Sequence, residues 1–187
     1  MRRLEDLAGQ DLVCRKDSIW TRNAAVYADN EPVATLTFQK LLSNRALYAA
    51  ATGSWTFNRT PNVSRQYTIA RLDVSEASPA TYEEQRPSVG GAQAVPEGSG
   101  TLITPKGTTA SWNATDPLQT RGASHTKWAW QDPPTTPLVQ YRALGGAKLL
   151  WAVTIEPPAA ARSDLALLVG LGCYLLHLYY ADRVADS

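Results

Sequence analysis

From Leu165 to Tyr180 the chain reads LALLVGLGCYLLHLYY, apolar on every face a helix can present. Ser163 and Asp164 precede the run as candidate caps for a first turn, and Asp182, Arg183 and Asp186 return the chain to water. A surface helix carries a polar stripe. A helix without one must be surrounded, either by protein or by lipid, and that choice decides the architecture.

Two properties favour protein. The run spans roughly 24 Å at about 1.5 Å per residue, short of the roughly 30 Å of a hydrocarbon core. It also contains Gly170, Gly172 and His177, and a histidine in lipid is costly without a partner. Arg162 and Arg183 flank it singly, each beside an aspartate (Asp164, Asp182), so no basic cluster marks a membrane face. Inside a barrel the two glycines would admit a close approach, and His177, Tyr179 and Tyr180 would lie toward the mouth. The expectation is a central hydrophobic helix over 163–182. The alternative is a tail-anchored membrane protein with a soluble β-rich cytosolic domain.

The rest of the chain alternates with a period of two. Val33–Phe38 follows the Asp29–Pro32 turn and pairs back on Ala25–Ala28; Ala46–Ala51 and Ser54–Phe57 form a second hairpin about Gly53. Gln66–Val74 is the longest clean alternation, with Tyr67, Ile69, Arg71 and Asp73 on one face. Gly100–Thr104 and Thr108–Trp112 flank Pro105–Gly107 as a third hairpin, and Lys127–Gln131 with Pro137–Arg142 make a fourth. Ala147–Ile155 is the last strand before Pro157-Pro158. Residues 76–98, rich in proline and glycine, read as a loop between two halves. About ten short strands at hairpin spacing suggest a sandwich or barrel in one domain over 1–187.

A strand-rich domain that ends in a fully apolar helix resembles the tubby C-terminal-like superfamily, which includes tubby proteins, phospholipid scramblases and the LURP-one-related proteins. The segments that carry the resemblance are Ser163–Leu178 for the helix, Leu149–Ile155 for the strand leading into it, and Trp20–Phe38 with Leu47–Phe57 for the opening hairpins. The resemblance implies a mainly β fold, a closed antiparallel β-barrel of about twelve strands enclosing a C-terminal hydrophobic α-helix. It also implies action at membranes or on lipids. The chain departs from the family in two respects. No lysine and arginine cluster of the tubby kind stands in the sequence, and Asp182 and Asp186 are too few for a scramblase-type calcium segment.

Net charge is +1, from 18 basic and 17 acidic residues, which gives no reason to expect nucleic acid. Cys14 and Cys173 read as two buried free thiols, since two distant cysteines make neither a disulfide scaffold nor a zinc site. Met1-Arg-Arg followed by LEDLAGQDL is no secretory signal, so the expected location is cytoplasmic with membrane association, and the sequons at Asn58, Asn62 and Asn113 are chance matches.

No metal site, phosphate loop or nucleophile elbow is present in the sequence. His125 near Ser124, Asp116 and Asp132 reads as a loop residue rather than part of a triad, and Glu83-Glu84 as a solvated pair. The ligand-binding candidates are Arg59, Arg65 and Arg71, which bracket one hairpin and could touch anionic lipid, and Trp128 and Trp130, which share a strand face as either core or an indole platform. The expected function is a non-enzymatic, monomeric binding or scaffold module without a cofactor, acting at an anionic membrane lipid surface.

Overall fold

The computed structural model describes residues 1–16, 22–39, 44–59, 66–74, 79–85, 99–115, 126–132, 136–144 and 150–185. Its first six strands are β1 (Leu12–Lys16), β2 (Ala24–Ala28), β3 (Glu31–Phe38), β4 (Arg45–Ala50), β5 (Gly53–Arg59) and β6 (Gln66–Arg71). The next six are β7 (Ala80–Glu84), β8 (Gly100–Ile103), β9 (Thr109–Ala114), β10 (Lys127–Asp132), β11 (Thr136–Ala143) and β12 (Leu150–Ile155). Each strand pairs antiparallel with its neighbours in chain order. β1 pairs with β12, Leu12 opposite Val153 and Cys14 opposite Trp151, and this closes the barrel. A short helix α1 (Pro157–Ala160) then leads into α2 (Leu165–Ala185).

Local chemistry explains the turns. Asp29 and Asn30 both take positive φ (50° and 65°), the primed two-residue turn whose twist suits a hairpin. Pro105 opens the β8–β9 turn. Gly107, at φ 76°, ends it and donates its N–H to the Thr104 carbonyl at 2.9 Å. Gly53 does not form the turn expected of it. It starts β5 opposite Ala50, and the turn falls on Ala51–Thr52.

Alternation along each strand sends one face into the barrel. Several strands pair a small inward residue with a large one: Ala46 with Tyr48, Ala80 with Tyr82, Ala110 with Trp112, all buried. This lets a wall of aromatic rings fit around a central object. That object is α2, whose Leu165–Leu178 segment is buried throughout. It packs against β3, β4 and β5 on one side and β10 and β11 on the other, so it is ringed by wall. The expected closed antiparallel β-barrel of twelve strands around a C-terminal helix is the observed fold.

The glycines set the closeness of the fit. A methyl group on Gly170 would lie 2.5 Å from Tyr48 Cε1, and one on Gly172 2.5 Å from Tyr141 Cζ. Because Gly172 has no side chain, the Tyr141 hydroxyl reaches the helix backbone. It donates to the carbonyls of Val169 at 3.0 Å and Leu168 at 3.2 Å.

One end is closed by packing. The 3-10 turn Leu4–Leu7 buries both leucines against α1 and α2, and the Gly9 N–H bonds the Ile155 carbonyl at 3.1 Å. Arg162 holds the bend into α2: Nε and Nη2 donate to the two Asp164 carboxylate oxygens, both at 2.8 Å, and Nη1 donates to Asp132 on β10. Asp164 therefore starts the helix through its carbonyl, which accepts the Leu168 N–H, while its carboxylate serves Arg162 rather than the expected side-chain cap.

One expectation needs correction. The stretch 76–98 is not loop throughout, because Ala80–Glu84 is strand β7, paired with β6 and β8. Ala80 and Tyr82 face inward and the half-buried Glu84 shares their face at the strand end, while Thr81 and Glu83 face out, which makes the strand look like loop in sequence.

Gly170→Ala and Gly172→Ala separate an enclosed helix from an exposed one. On a helix with free space around it either change should raise stability by about 1 kcal/mol. Against Tyr48 and Tyr141 each should lower it, by about 1–3 kcal/mol of overpacking, seen as a lower melting temperature. Arg162→Ala should cost about 2 kcal/mol, from lost charge-assisted hydrogen bonds at the helix start, or a melting temperature lower by about 5 °C; an unchanged melt would mean the Arg162 fork does not hold the bend.

Candidate functional site

Up-and-down topology assigns every connection to one of two ends. The turns at 29–30, 51–52 and 104–108 lie at the end closed by Leu4–Leu7 and α1. The connections β1–β2, β3–β4, β5–β6, β7–β8, β9–β10 and β11–β12 all lie at the other end, where the C-terminal part of α2 emerges. We call that end the mouth.

Charge is sorted between the ends. The described strand termini at the mouth carry Arg15 and Lys16 on β1, Arg22 before β2, Arg45 on β4, Arg59 on β5, Lys127 on β10 and Arg142 on β11. The carboxylates there are Glu83 and Glu84 at the end of β7, and both accept hydrogen bonds, from Gln66 Nε2 at 3.1 Å and from the Tyr67 hydroxyl at 3.3 Å. The closed end carries Glu5, Asp6, Asp11, Asp29, Glu31, Asp73, Asp132, Glu156 and Asp164 against Arg2, Arg3, Arg71, Lys106 and Arg162. Three of its arginines are matched: Arg2 with Asp29 at 3.0 Å, Arg71 with Asp73 at 2.8 Å, and Arg162 with Asp164 at 2.8 Å. Among the described residues, a near-neutral chain thus presents a basic mouth and an acidic base.

Cations at the mouth stand close together. Lys127 and Arg142 are exposed register partners across β10 and β11, a like-charge pairing that costs a sheet stability. Lys16 has its pKa lowered, first by burial and then by the Arg22 charge beside it. The Arg22 guanidinium lies 4.4 Å from the centre of the Phe38 ring, and that ring is 6.0 Å from His177.

His177 sits inside the mouth at 3% exposure. Nδ1 is 2.8 Å from the Cys173 carbonyl, an acceptor only, so Nδ1 carries the proton, and Nε2 is buried without a hydrogen-bond partner. Burial holds its pKa down at about 4; the Cys173 carbonyl pulls upward, and Lys16 and Arg22 add to the lowering. His177 is a neutral core residue at neutral pH. Tyr179 and Tyr180 above it are part-buried and stack edge-on with Trp128 and Trp151, at 5.2 and 5.1 Å between centres.

The sequence candidates are dispersed. Arg59 and Arg71 lie at opposite ends of the β5–β6 hairpin: Arg59 pairs with Tyr67 at the mouth, and Arg71 with Trp55 near the base. Arg71 forms a fork to Asp73, and its Nη2 donates to the Thr52 carbonyl at 2.9 Å, locking the β4–β5 turn. The proposed arginine triplet is therefore not one site, and Arg65 lies outside the described residues. Trp128 and Trp130, 1% and 0% exposed, pack with Trp112 in the wall, so of the two readings, core and indole platform, they take the core. His125, Ser124 and Asp116 lie outside the described residues. Among the described residues no cluster of His, Cys, Asp or Glu is placed to hold a metal ion.

In comparison with known proteins, no family model, no curated protein and no solved structure matches this chain.

The His177 environment sets a pH dependence. Between about pH 6.5 and about pH 4 the unfolded chain binds a proton that the folded chain refuses, so stability falls as pH drops through that window. The loss reaches about 3 kcal/mol below the folded pKa. Denaturant melts across that range should show the slope in the native protein and a flatter profile in His177→Leu; parallel profiles would place the acid sensitivity elsewhere.

Proposed function

We propose that this protein is a non-enzymatic binding module whose basic mouth docks on an anionic membrane surface. The observation that carries the reading is the sorting of charge: among the described residues, seven cations, Arg15, Lys16, Arg22, Arg45, Arg59, Lys127 and Arg142, lie on one rim with two hydrogen-bonded carboxylates. A rim of one sign attracts a surface of the other, at about 1 kcal/mol per basic residue close to an anionic leaflet. Lys127 opposite Arg142 fits the same reading, because an anion between the two strands would relieve their repulsion.

The part of α2 that would serve a tail anchor, Leu165–Leu178, is packed inside the barrel wall. Among the described residues no helix is long and apolar enough to cross a membrane. Attachment through the rim therefore accounts for membrane action without withdrawing the helix from its barrel. The cytoplasmic leaflet, which carries the anionic lipid, is the surface the rim fits.

Flotation with phosphatidylcholine vesicles, with and without phosphatidylserine, tests this reading. The native chain should float only with the anionic vesicles and be released by salt. Lys127→Glu combined with Arg142→Glu should weaken binding by about 100-fold or more, while Lys106→Glu at the base should leave it unchanged. Equal binding to neutral vesicles, or no effect of the mouth reversal, would overturn the reading.

A further inference from the structure

Among the described residues the large apolar side chains left exposed are Met1, Leu72, Val74, Ile103 and Leu144. Single exposed apolar residues are ordinary. The first four stand at or toward the base, with its carboxylates. Leu144 stands at the mouth, directly after β11, 45% exposed and among cations. Its N–H donates to the Leu150 carbonyl at 3.0 Å, which carries the β11–β12 ladder one residue past Ala143 and Trp151. On its other side Leu150 lies opposite Arg15 of β1. Leu144, Leu150 and Arg15 therefore form one row across three neighbouring strands at the rim, the last two half-buried. Alternation puts all three on the outer face, because Tyr141, Trp151 and Cys14 on the same strands are buried inward.

A second row lies just behind the first. Arg142 is two residues closer to the base than Leu144 on the same face of β11, about 7 Å along the strand. Its row runs from Lys127 on β10 through Ala152 on β12 and Val13 on β1 to Tyr27 on β2. The Arg15 guanidinium, at the end of the leucine row, lies 3.9 Å from the centre of the Tyr27 ring. This sector of the rim is thus layered. Two leucines stand at the tip with Arg15 beside them, and the exposed pair Lys127 and Arg142 stands one step back.

We infer that Leu144 and Leu150 form an apolar wedge that enters an anionic bilayer, with Arg15, Lys127 and Arg142 on the lipid phosphates around it. The inference rests on the docking reading above and adds which sector of the rim leads and what it does in the membrane. The layering matches a bilayer surface. Apolar groups of interfacial elements lie about 5–10 Å into the boundary between headgroups and acyl chains. With Arg142 at the phosphates, a step of about 7 Å carries Leu144 to that depth. The charges also choose the occupant. A second copy docking on the same patch would bring Arg15, Lys127 and Arg142 against their own counterparts, and like charges across an interface repel. An anionic bilayer offers phosphate to the cations and hydrocarbon to the leucines, each at its own depth.

The test uses the full chain and vesicles of phosphatidylcholine with phosphatidylserine. Leu144→Ser leaves every charge in place and removes half-exposed apolar surface, so the variant should melt like the native protein. It should bind the vesicles about 3- to 10-fold more weakly at fixed salt. Depth is read separately. Cys14 and Cys173 are both buried, so a thiol added by Leu144→Cys is the reactive one in the folded protein. A fluorophore attached there should be quenched by lipids brominated on the acyl chain, and one attached at Lys106→Cys, at the base, should not. Native binding with an unaffected Leu144→Ser and an unquenched probe at 144 would overturn the wedge and leave docking by charge standing. No binding of the native chain to these vesicles would overturn the docking reading and the wedge with it. A native dimer in solution that Leu144→Ser dissolves would assign the leucines to a second copy and overturn the wedge.

Discussion

Twelve strands cannot close on side chains alone. A barrel of about eight strands is just wide enough for its inward residues to fill, and the diameter grows with strand number. This wall therefore needs a central object, and α2 supplies it. The object must be apolar on all sides, because strands meet it from both sides, and narrow where large rings meet it. Gly170 beneath Tyr48 and Gly172 beneath Tyr141 meet the second demand. The Tyr141 hydroxyl then turns the close approach into a specific register by reaching the Leu168 and Val169 carbonyls, contacts open to it because residue 172 has no side chain. Burial of the helix and closure of the wall are thus one event, and neither element has a reason to be stable without the other.

The two ends of this arrangement do different work. At the base, tight turns, the Leu4–Leu7 plug and the Arg162 fork to Asp164 and Asp132 seat the helix start. Arg2, Arg71 and Arg162 there sit beside carboxylates and serve the fold. At the mouth the strand termini carry mostly cations, and the aromatic pairs Trp128–Tyr179 and Trp151–Tyr180 seal the interior beneath them. The contacts that seat the helix start and the described cations of the mouth are thus separated along the barrel axis.

Most of the fold was legible in the sequence, and the reason is physical. The all-round apolar helix and the two-residue alternation both report burial directly, and the Asp29-Asn30 and Pro105–Gly107 turns report backbone conformation. The mouth was not legible, and β7 shows why. With inward apolar residues limited to Ala80 and Tyr82, that strand carries too little apolar signal to stand out from loop. In an up-and-down barrel, each strand reverses the end at which the next connection falls. Omitting one strand therefore moves Lys127 and Arg142 to the wrong end, away from Arg15, Arg45 and Arg59. The same effect made Arg59 and Arg71 look like neighbours because they bracket one hairpin, although antiparallel pairing carries them to opposite ends. Trp128 and Trp130 shared a face as expected; only closure of the barrel decides that this face is inside.

The cations at the mouth have a structural role open to them, and its size can be weighed. A helix ends in exposed carbonyls equivalent to about half a negative charge, and α2 delivers that end to the mouth. One or two nearby cations would satisfy it, at about 0.3–1 kcal/mol each. Among the described residues the rim holds seven against two carboxylates, and Lys127 and Arg142 face each other on the outer surface of β10 and β11, where they repel. Half a charge at the centre of a barrel does not call for a like-charged pair on its outer wall. Among the described residues the cations at the mouth outnumber what the helix end can use, and the exposed Lys127 and Arg142 lie where a second surface can reach them. Such an arrangement fits the docking face we propose.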